Sequence, residues 1–381
     1  MADAGTPSRS IPDEAPISPA PFPNAPPDLV VRVALGLIRA LKRVTNAVTP
    51  PELALFDMTI GSARTALIGA AARFGLPDAL ADGALSSKEL AARVGAHEDA
   101  LHRVMRALAH EGVFALRADG RWENTRLSNA LRSGTLARSR QWAMYWSSAS
   151  NLRAWGEVDE VLRHGGVGFV RAHGKSVWDW FAEHPDEQRC FAEAMMGLTV
   201  MSAPFVAATY PFDEVKTVCD VGGGRGTLLS ELLLRRPHLR GVLCDAEGLE
   251  PLARKLFEAR GVGDRARFEA GNFFEEVPEG ADVYTLKNIL HDWGDAQCRV
   301  ILGAVRKAMK PGAKVLIVES LLQRDDVANP AVLADVQMMM VCDDGRERSL
   351  EEFRALLEAT GFRLGRSWPT ATDSLIEGVA V

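Results

Sequence analysis

The stretch Lys216-Thr-Val-Cys-Asp-Val-Gly-Gly-Gly-Arg-Gly-Thr-Leu-Leu-Ser-Glu-Leu-Leu-Leu234 constrains this chain more than any other. Val218 to Val221 is a short apolar run that suits a buried parallel strand. Gly222 to Gly226 reads as a turn, and Thr227 onward has the spacing of an amphipathic helix. Glycines in such a turn let the backbone adopt positive φ and approach a ligand closely, and the helix start offers unpaired N–H groups to a polar ligand end. A glycine loop alone also fits a phosphate-binding dinucleotide site, so the segments that follow decide.

Further apolar runs at Val242–Cys244, Ala266–Glu269, Val283–Leu286 and Val315–Val318 alternate with helical stretches. This alternation predicts an α/β fold with a doubly wound, Rossmann-like and mainly parallel sheet, whose ligands sit at the carboxyl ends of the strands. The polar residues gather at those ends. Asp245 closes the second run, where it suits ribose hydroxyls; Gly271-Asn-Phe-Phe274 follows the third; Leu286-Lys-Asn-Ile-Leu-His-Asp-Trp293 closes the fourth.

From Asp220-Val-Gly-Gly-Gly-Arg-Gly226 together with Leu286-Lys287 and His291-Asp292-Trp293, the chain resembles the S-adenosylmethionine-dependent small-molecule O-methyltransferases of the plant caffeate and bacterial natural-product type. The resemblance covers roughly residues 55 to 381. It implies S-adenosylmethionine as cofactor, held by Asp220, Gly222, Gly223, Gly224, Gly226 and Asp245, with Asn272 and Phe273 flanking adenine and Lys287 lining the same site. Asn272 departs from the family, which usually carries aspartate there, and offers one carbonyl acceptor to the adenine amino group.

Methyl transfer from a sulfonium to oxygen is an in-line displacement, and a phenol titrating near ~10 attacks well only as its proton departs. His291 is the candidate base: an ordinary imidazole, near ~6.5, is largely neutral at physiological pH. By resemblance, Glu319, at the end of the next strand, and Glu347, in Gly345-Arg-Glu-Arg348, flank that histidine, orient it and stabilise its charged form. Asp292 reads as a structural hydrogen-bonding partner. No metal is implied, because a metal-assisted enzyme needs clustered hard oxygen ligands, and the pairs Asp325-Asp326 and Asp343-Asp344 fit exposed loops as well. The resemblance places Phe191, Met195, Asn288, Met338 and Cys342 against the acceptor, and methionines make an adaptable apolar wall. For Met339 and Met340 a core role is the default.

Upstream, residues 1–27 carry eight prolines and almost no large apolar residue, which predicts a disordered tail. From Asp28, read as an N-cap, Val30, Val33, Leu37, Ile38, Leu41 and Val44 recur at helical spacing among Arg32, Arg39, Lys42 and Arg43. Such a helix suits a membrane surface, its own domain or a partner subunit; the last two are preferred. Leu85-Ser-Ser-Lys-Glu begins one helix, Ala96 to Leu108 carries another, and Gly112–Leu116 with Arg121–Thr125 reads as a hairpin. Helix, turn, helix and hairpin make a winged-helix unit over residues 28–137. Arg103 and Arg106 would suit DNA, but Leu101, Val104, Met105 and Leu108 make the second helix a packing helix, and by resemblance the unit forms a homodimer. Residues 138–205, rich in tryptophan, are expected as a helical layer walling the acceptor pocket, and 206–381 as the catalytic domain.

A net charge of −6 argues against a general nucleic-acid partner. Five scattered cysteines suggest neither a disulfide framework nor a zinc site and fit a reducing cytoplasm. No run approaches the ~18 apolar residues of a membrane span, so no stable insertion is expected. The expected function is O-methylation of an aromatic or other specialised metabolite. The alternatives are N-methylation, a non-methylating decarboxylase, hydroxylase or cyclising enzyme of the same fold, or a DNA-binding regulator.

Overall fold

The computed structural model describes residues 18–24, 26–324, 327, 329 and 331–381. Between Gly61 and Asn124 the alanine-rich segment folds as expected into helices and a hairpin. Ser86 and Glu89 cap the helix Ser87–Val94 reciprocally. Helix Glu98–His110 turns Leu101, Met105 and Leu108 inward and leaves Arg103 and Arg106 exposed. Strands β1 (Phe114–Leu116) and β2 (Trp122–Asn124) pair antiparallel, and Trp122 is wholly buried in this unit's core.

The two helices before this unit behave differently. Helix Asp28–Val48 begins at Asp28 with Pro27, not Asp28, at the cap position. Its Leu29, Val30, Val33, Leu37, Ile38, Leu41, Val44 and Val48 are all exposed, as are Leu53, Leu55 and Phe56 on helix Pro51–Thr59. Packing of the first helix on its own domain is therefore not observed.

Six helices between Ser139 and Thr209 form the connecting layer. The last, Pro185–Thr209, carries Pro204 inside it and runs past the boundary expected at residue 205. A mid-helix proline costs ~3 kcal/mol, but Met196, Val200, Ala203, Val206 and Ala207 are buried against Leu228, Leu229 and Leu232 of helix Thr227–Arg235, which offsets that cost. This helix is also long and apolar enough to cross a membrane, against the expectation that no run is. Most of its apolar window is buried inside the protein, so its composition is that of a core helix.

The remaining strands, β3 (Thr217–Val221), β4 (Arg240–Asp245), β5 (Ala266–Ala270), β6 (Val283–Lys287), β7 (Lys314–Glu319), β8 (Phe362–Pro369) and β9 (Ser374–Ala380), form one sheet in the order β5-β4-β3-β6-β7-β9-β8. The pairs from β5 to β7 are parallel, whereas β9 runs antiparallel to β7 and β8. The strand order reverses between β3 and β6, which opens a crevice at their carboxyl ends. Apolar side chains cover both faces: Val218, Leu243 and Val318 look to one layer, Val221, Leu286 and Ile317 to the other.

Part of the proline-rich tail departs from the expected disorder. Phe22 is buried under the Arg260 guanidinium, 4.1 Å from the ring centroid, and its N–H donates to Glu231. Arg235 donates to the Phe22 carbonyl at 2.6 Å, and Glu231 is paired with Arg260 in full burial. One large apolar residue among the prolines, with the Arg235 and Arg260 bonds to the backbone around it, docks residues 18–24 on the sheet domain. Residues 1–17 and 25, with Asp325 and Asp326, lie outside the described residues.

Candidate active site

Every segment that the strand pattern sends to the carboxyl edge of the sheet arrives there. Leaving β3, Gly222, Gly224 and Gly226 take positive φ of 68°, 62° and 81°, as a loop wrapping a ligand requires. A Cβ at Gly223 would collide with the Asp220 carboxylate. Asp220 is buried beneath the loop. One oxygen accepts the Thr285 hydroxyl at 2.7 Å, while Oδ2 has no hydrogen-bond partner among the described residues. Burial pushes this carboxyl up to about 6, with the Thr285 bond opposing.

Asp245 ends β4 with both oxygens toward backbone donors, Oδ2 to Gly224 N–H and Oδ1 to Ala246 N–H, each at 2.7 Å. It thus ties the glycine loop to the second strand. A cavity of about 600 Å³ opens beside it, lined by Asp245, Ala246, Leu249, Glu193, Arg225 and Met196, a volume suited to a nucleoside with a short polar arm. Arg225, inside the loop, pairs with buried Glu193 of helix Pro185–Thr209, and Arg138 Nε lies 3.2 Å from the other Glu193 oxygen. Helix Pro185–Thr209 is thereby clamped to the glycine loop. The loop sequence alone offered no sign of this clamp.

Of the adenine candidates, Phe273 lies over Gly222. Asn272 is exposed and bonded within its own turn: Nδ2 donates to Glu275 Oε1 at 2.9 Å, and Oδ1 accepts Phe274 N–H at 3.1 Å. Lys287, ending β6, donates to Asn288 Oδ1 at 3.3 Å, and Asn288 takes a φ of 53° as the chain turns toward His291.

His291, Glu319 and Glu347, 28 and 56 residues apart in sequence, meet at this turn. His291 Nδ1 is 3.0 Å from Glu347 Oε1 and 3.9 Å from Glu319 Oε2. With Nδ1–H given to Glu347, Nε2 faces the other way, 3.5 Å from Asp292 Oδ1. Glu319 does more than flank the ring, for its Oε1 accepts the backbone N–H groups of Ile289, Leu290 and His291 and so shapes the turn itself. The Cys342 thiol donates to Asp292 Oδ1 at 3.4 Å. Arg348, fully buried, donates to the carbonyls of Leu290 and Trp293, both at 2.7 Å, and to Asp295. An arginine in a Gly-Arg-Glu-Arg run reads as a solvated charge, so this clamp had no signal in the sequence.

The electrostatics correct one expectation. His291 is not an ordinary imidazole: burial lowers its pKa, but Glu319, Asp292 and Glu347 outweigh that and push it up to about 10. These carboxylates favour the imidazolium form of the ring. Burial raises Glu319 to about 7, with His291 opposing, and also raises Asp292. The donor atoms of His291, Glu319 and Glu347 lie within 4.8 Å of one another, a set that could hold a metal ion. Of their polar atoms, His291 Nδ1 and Glu347 Oε1 bond each other and Glu319 Oε1 bonds the turn backbone, while Glu319 Oε2 and Glu347 Oε2 are buried without a hydrogen-bond partner among the described residues.

Three of the five acceptor candidates, Phe191, Met338 and Cys342, share one apolar cluster, which does not include Met195 or Asn288. Phe191 packs against Tyr145, Phe181 and Trp178 with ring centroids 5.3, 5.1 and 6.1 Å away, and Met338 and Cys342 belong to the same cluster. Trp178 stacks on Trp293 of the His-Asp-Trp turn at 5.8 Å. Met195, one turn beyond Phe191, is partly buried. Met340 is core, as expected, but Met339 is 38% exposed on the outer side of its helix. Tyr145 and Trp178 were not singled out as site residues, since aromatics at helical spacing look like any core.

A family model for an O-methyltransferase domain matches residues 155–363, and one for an O-methyltransferase dimerisation domain matches residues 56–134. The mitomycin biosynthesis 6-O-methyltransferase of Streptomyces lavendulae is 35% identical over 85% of this chain and 93% of its own length. Phenazine O-methyltransferase PhzM of Lysobacter antibioticus is 37% identical over 86% and 96%. Another relative, phenazine-1-carboxylate N-methyltransferase of Pseudomonas aeruginosa, is 30% identical over 82% and 92%. Among solved structures, the O-methyltransferase NcsB1 from neocarzinostatin biosynthesis, in complex with S-adenosyl-L-homocysteine and 1,4-dihydroxy-2-naphthoic acid, superposes with a TM-score of 0.73. It is 30% identical over 84% of this chain and 96% of its own.

Proposed function

The chain belongs to the S-adenosylmethionine-dependent O-methyltransferase family, and from that premise we propose that it moves the sulfonium methyl to a hydroxyl of an aromatic specialised metabolite, with His291 as proton acceptor. The observation that carries this reading is the polarity of the His291 turn. Glu347 takes Nδ1–H, Glu319 fixes the backbone, and Nε2 lies 3.5 Å from Asp292 Oδ1, the oxygen that also accepts the Cys342 thiol of the apolar cluster. A histidine raised to about 10 matches a phenol near ~10. Between groups so matched, one proton shared by acceptor and imidazole costs little to move. The phenolate–imidazolium pair is then a ready nucleophile.

In this reading S-adenosylmethionine lies along the glycine loop. Asp245 exchanges its backbone partners in part for ribose hydroxyls, and Phe273 stacks near adenine. The cofactor supplies the methyl as an electrophile. Methyl-labelled S-adenosylmethionine, incubated with phenols, hydroxyquinones and flavonoids and followed by mass spectrometry, tests it: label on an acceptor oxygen supports the assignment. Label on nitrogen would move the chain to the N-methylating side of its family, where the Pseudomonas relative stands.

The dimerisation domain (residues 56–134) supports a homodimer, and the exposed apolar faces of helices Asp28–Val48 and Pro51–Thr59 suit burial against a second copy. Sedimentation should show a two-chain particle. A stable monomer would overturn this part of the reading.

A further inference from the structure

The hydrogen bonds around Gln337 leave one donor unspent beside the catalytic turn. Gln337 is buried on helix Ala331–Val341, directly before Met338. Its Oε1 accepts the Trp155 indole N–H at 2.7 Å, which fixes which end of the amide is oxygen. Its Nε2 donates twice, to Asn151 Oδ1 at 3.0 Å and to the Tyr145 hydroxyl oxygen at 3.2 Å. Asn151 is oriented in turn, because its Nδ2 donates to the Trp146 carbonyl at 3.1 Å. Each amide has only one arrangement, so Tyr145 is the acceptor in its contact with Gln337 and its own O–H proton points elsewhere. Among the described residues no acceptor takes it.

The position of that proton is informative. The Tyr145 ring packs against Phe191, 5.3 Å between centroids, and the side chain belongs to the cluster holding Met338 and Cys342. Cys342 donates to Asp292, which lies beside His291 Nε2. Burial and the neighbouring Cys342 and Asp292 raise the Tyr145 phenol above its ordinary range, so it stays a donor at any working pH.

We infer that the Tyr145 hydroxyl, held by the Gln337–Asn151–Trp155 network, is a specificity-determining donor that reads a neutral carbonyl oxygen beside the hydroxyl being methylated. The preferred acceptors are thus hydroxyaryl ketones and hydroxyquinones. Charge selects carbonyl over carboxylate: Asp292, Glu319 and Glu347 crowd one histidine, and a carboxylate on the acceptor would meet their net negative field. The inference rests on the methyltransfer reading, so its test is one of binding and not of turnover.

With S-adenosylhomocysteine bound, affinities of wild type and Tyr145→Phe are measured by calorimetry for 2-acetyl-1-naphthol, 2-ethyl-1-naphthol and 1-hydroxy-2-naphthoate. Wild type should bind the ketone about five- to tenfold more tightly than the ethyl compound, the span of one hydrogen bond, and the carboxylate less tightly than the ketone. In Tyr145→Phe the ketone's advantage should vanish while affinity for the ethyl compound is unchanged. Equal affinities in wild type, no binding of the ketone, or equal weakening of ketone and ethyl compound in the variant would each overturn the proposal. Failure of label to move from S-adenosylmethionine to oxygen would instead strike the methyltransfer reading and leave the binding preference standing.

Discussion

The two halves of the crevice are built by different means. On the side proposed for the cofactor the scaffold is backbone and close in sequence: a glycine loop with three positive φ values, tied by one carboxylate that ends the next strand. On the side proposed for the acceptor it is side chains from five separate stretches, in which Tyr145, Phe191, Trp293, Met338 and Glu347 are brought in by ring packing and side-chain hydrogen bonds across long sequence separations. A backbone-built site can be read from a short motif and tolerates little change. A side-chain-built site can alter its occupant by single substitutions without disturbing the fold, as expected of a family in which one scaffold serves many acceptors.

If the halves are separable, removing the proposed base should leave the other half untouched. His291→Ala is expected to cut turnover by roughly 10²–10⁴, the span of a positioned general base, with S-adenosylmethionine affinity unchanged by calorimetry. Loss of cofactor binding in that variant would show that the turn from Asn288 to Trp293 supports both halves and would break the comparison.

The next effect is on pH dependence and sharpens the same point. With His291 raised to about 10, the resting pair at neutral pH is imidazolium and neutral phenol, which must together lose one proton to reach the reactive pair. For an acceptor near ~10, kcat/KM should therefore rise about tenfold per pH unit from 7 toward 9, and for an acceptor of pKa near ~7 the rise should end near 7. A profile for the ordinary phenol that levels off near 6.5 would mean that the carboxylates do not raise the histidine.

Legibility follows the same division. The glycine loop, Asp245 and the His-Asp-Trp turn were readable because each is a short motif at the end of an apolar run, and β–α alternation says that such ends converge. The two glutamates came only from family resemblance, since nothing in 28 or 56 residues of separation shows that they touch one histidine. Arg348, Glu193 and Tyr145 were not legible: a buried arginine, a helix glutamate and a core tyrosine differ from ordinary ones only in what lies opposite. The docking of Phe22 was lost because composition averages over a segment, whereas one aromatic residue in a matching slot decides the outcome.

A smaller effect is expected at Asp245. Replacing it by Ala removes the proposed acceptors for ribose and frees the Gly224 N–H, and with charge-assisted bonds at ~1.5–3 kcal/mol each the cofactor should bind roughly ten- to a hundredfold more weakly. Acceptor affinity, measured by the Tyr145 assay above, should not move. Equal cofactor affinity would reduce Asp245 to a strand-end cap.

The smallest effect tests the one departure from the family's cofactor side. An aspartate at position 272 would offer two charged acceptors to the adenine amino group where Asn272 offers one neutral carbonyl. Yet Asn272 Nδ2 donates to Glu275 Oε1, and its Oδ1 already accepts Phe274 N–H. Asn272→Asp would lose the first bond and set two carboxylates side by side in an exposed turn, where their repulsion is screened and worth well under ~1 kcal/mol. Gain and loss then nearly cancel, and cofactor affinity should change by less than about fivefold. A tightening beyond about tenfold would show that the adenine contact outweighs the turn's own bonding, and a weakening of that size would show that the Asn272–Glu275 bond holds Phe273 in place over Gly222.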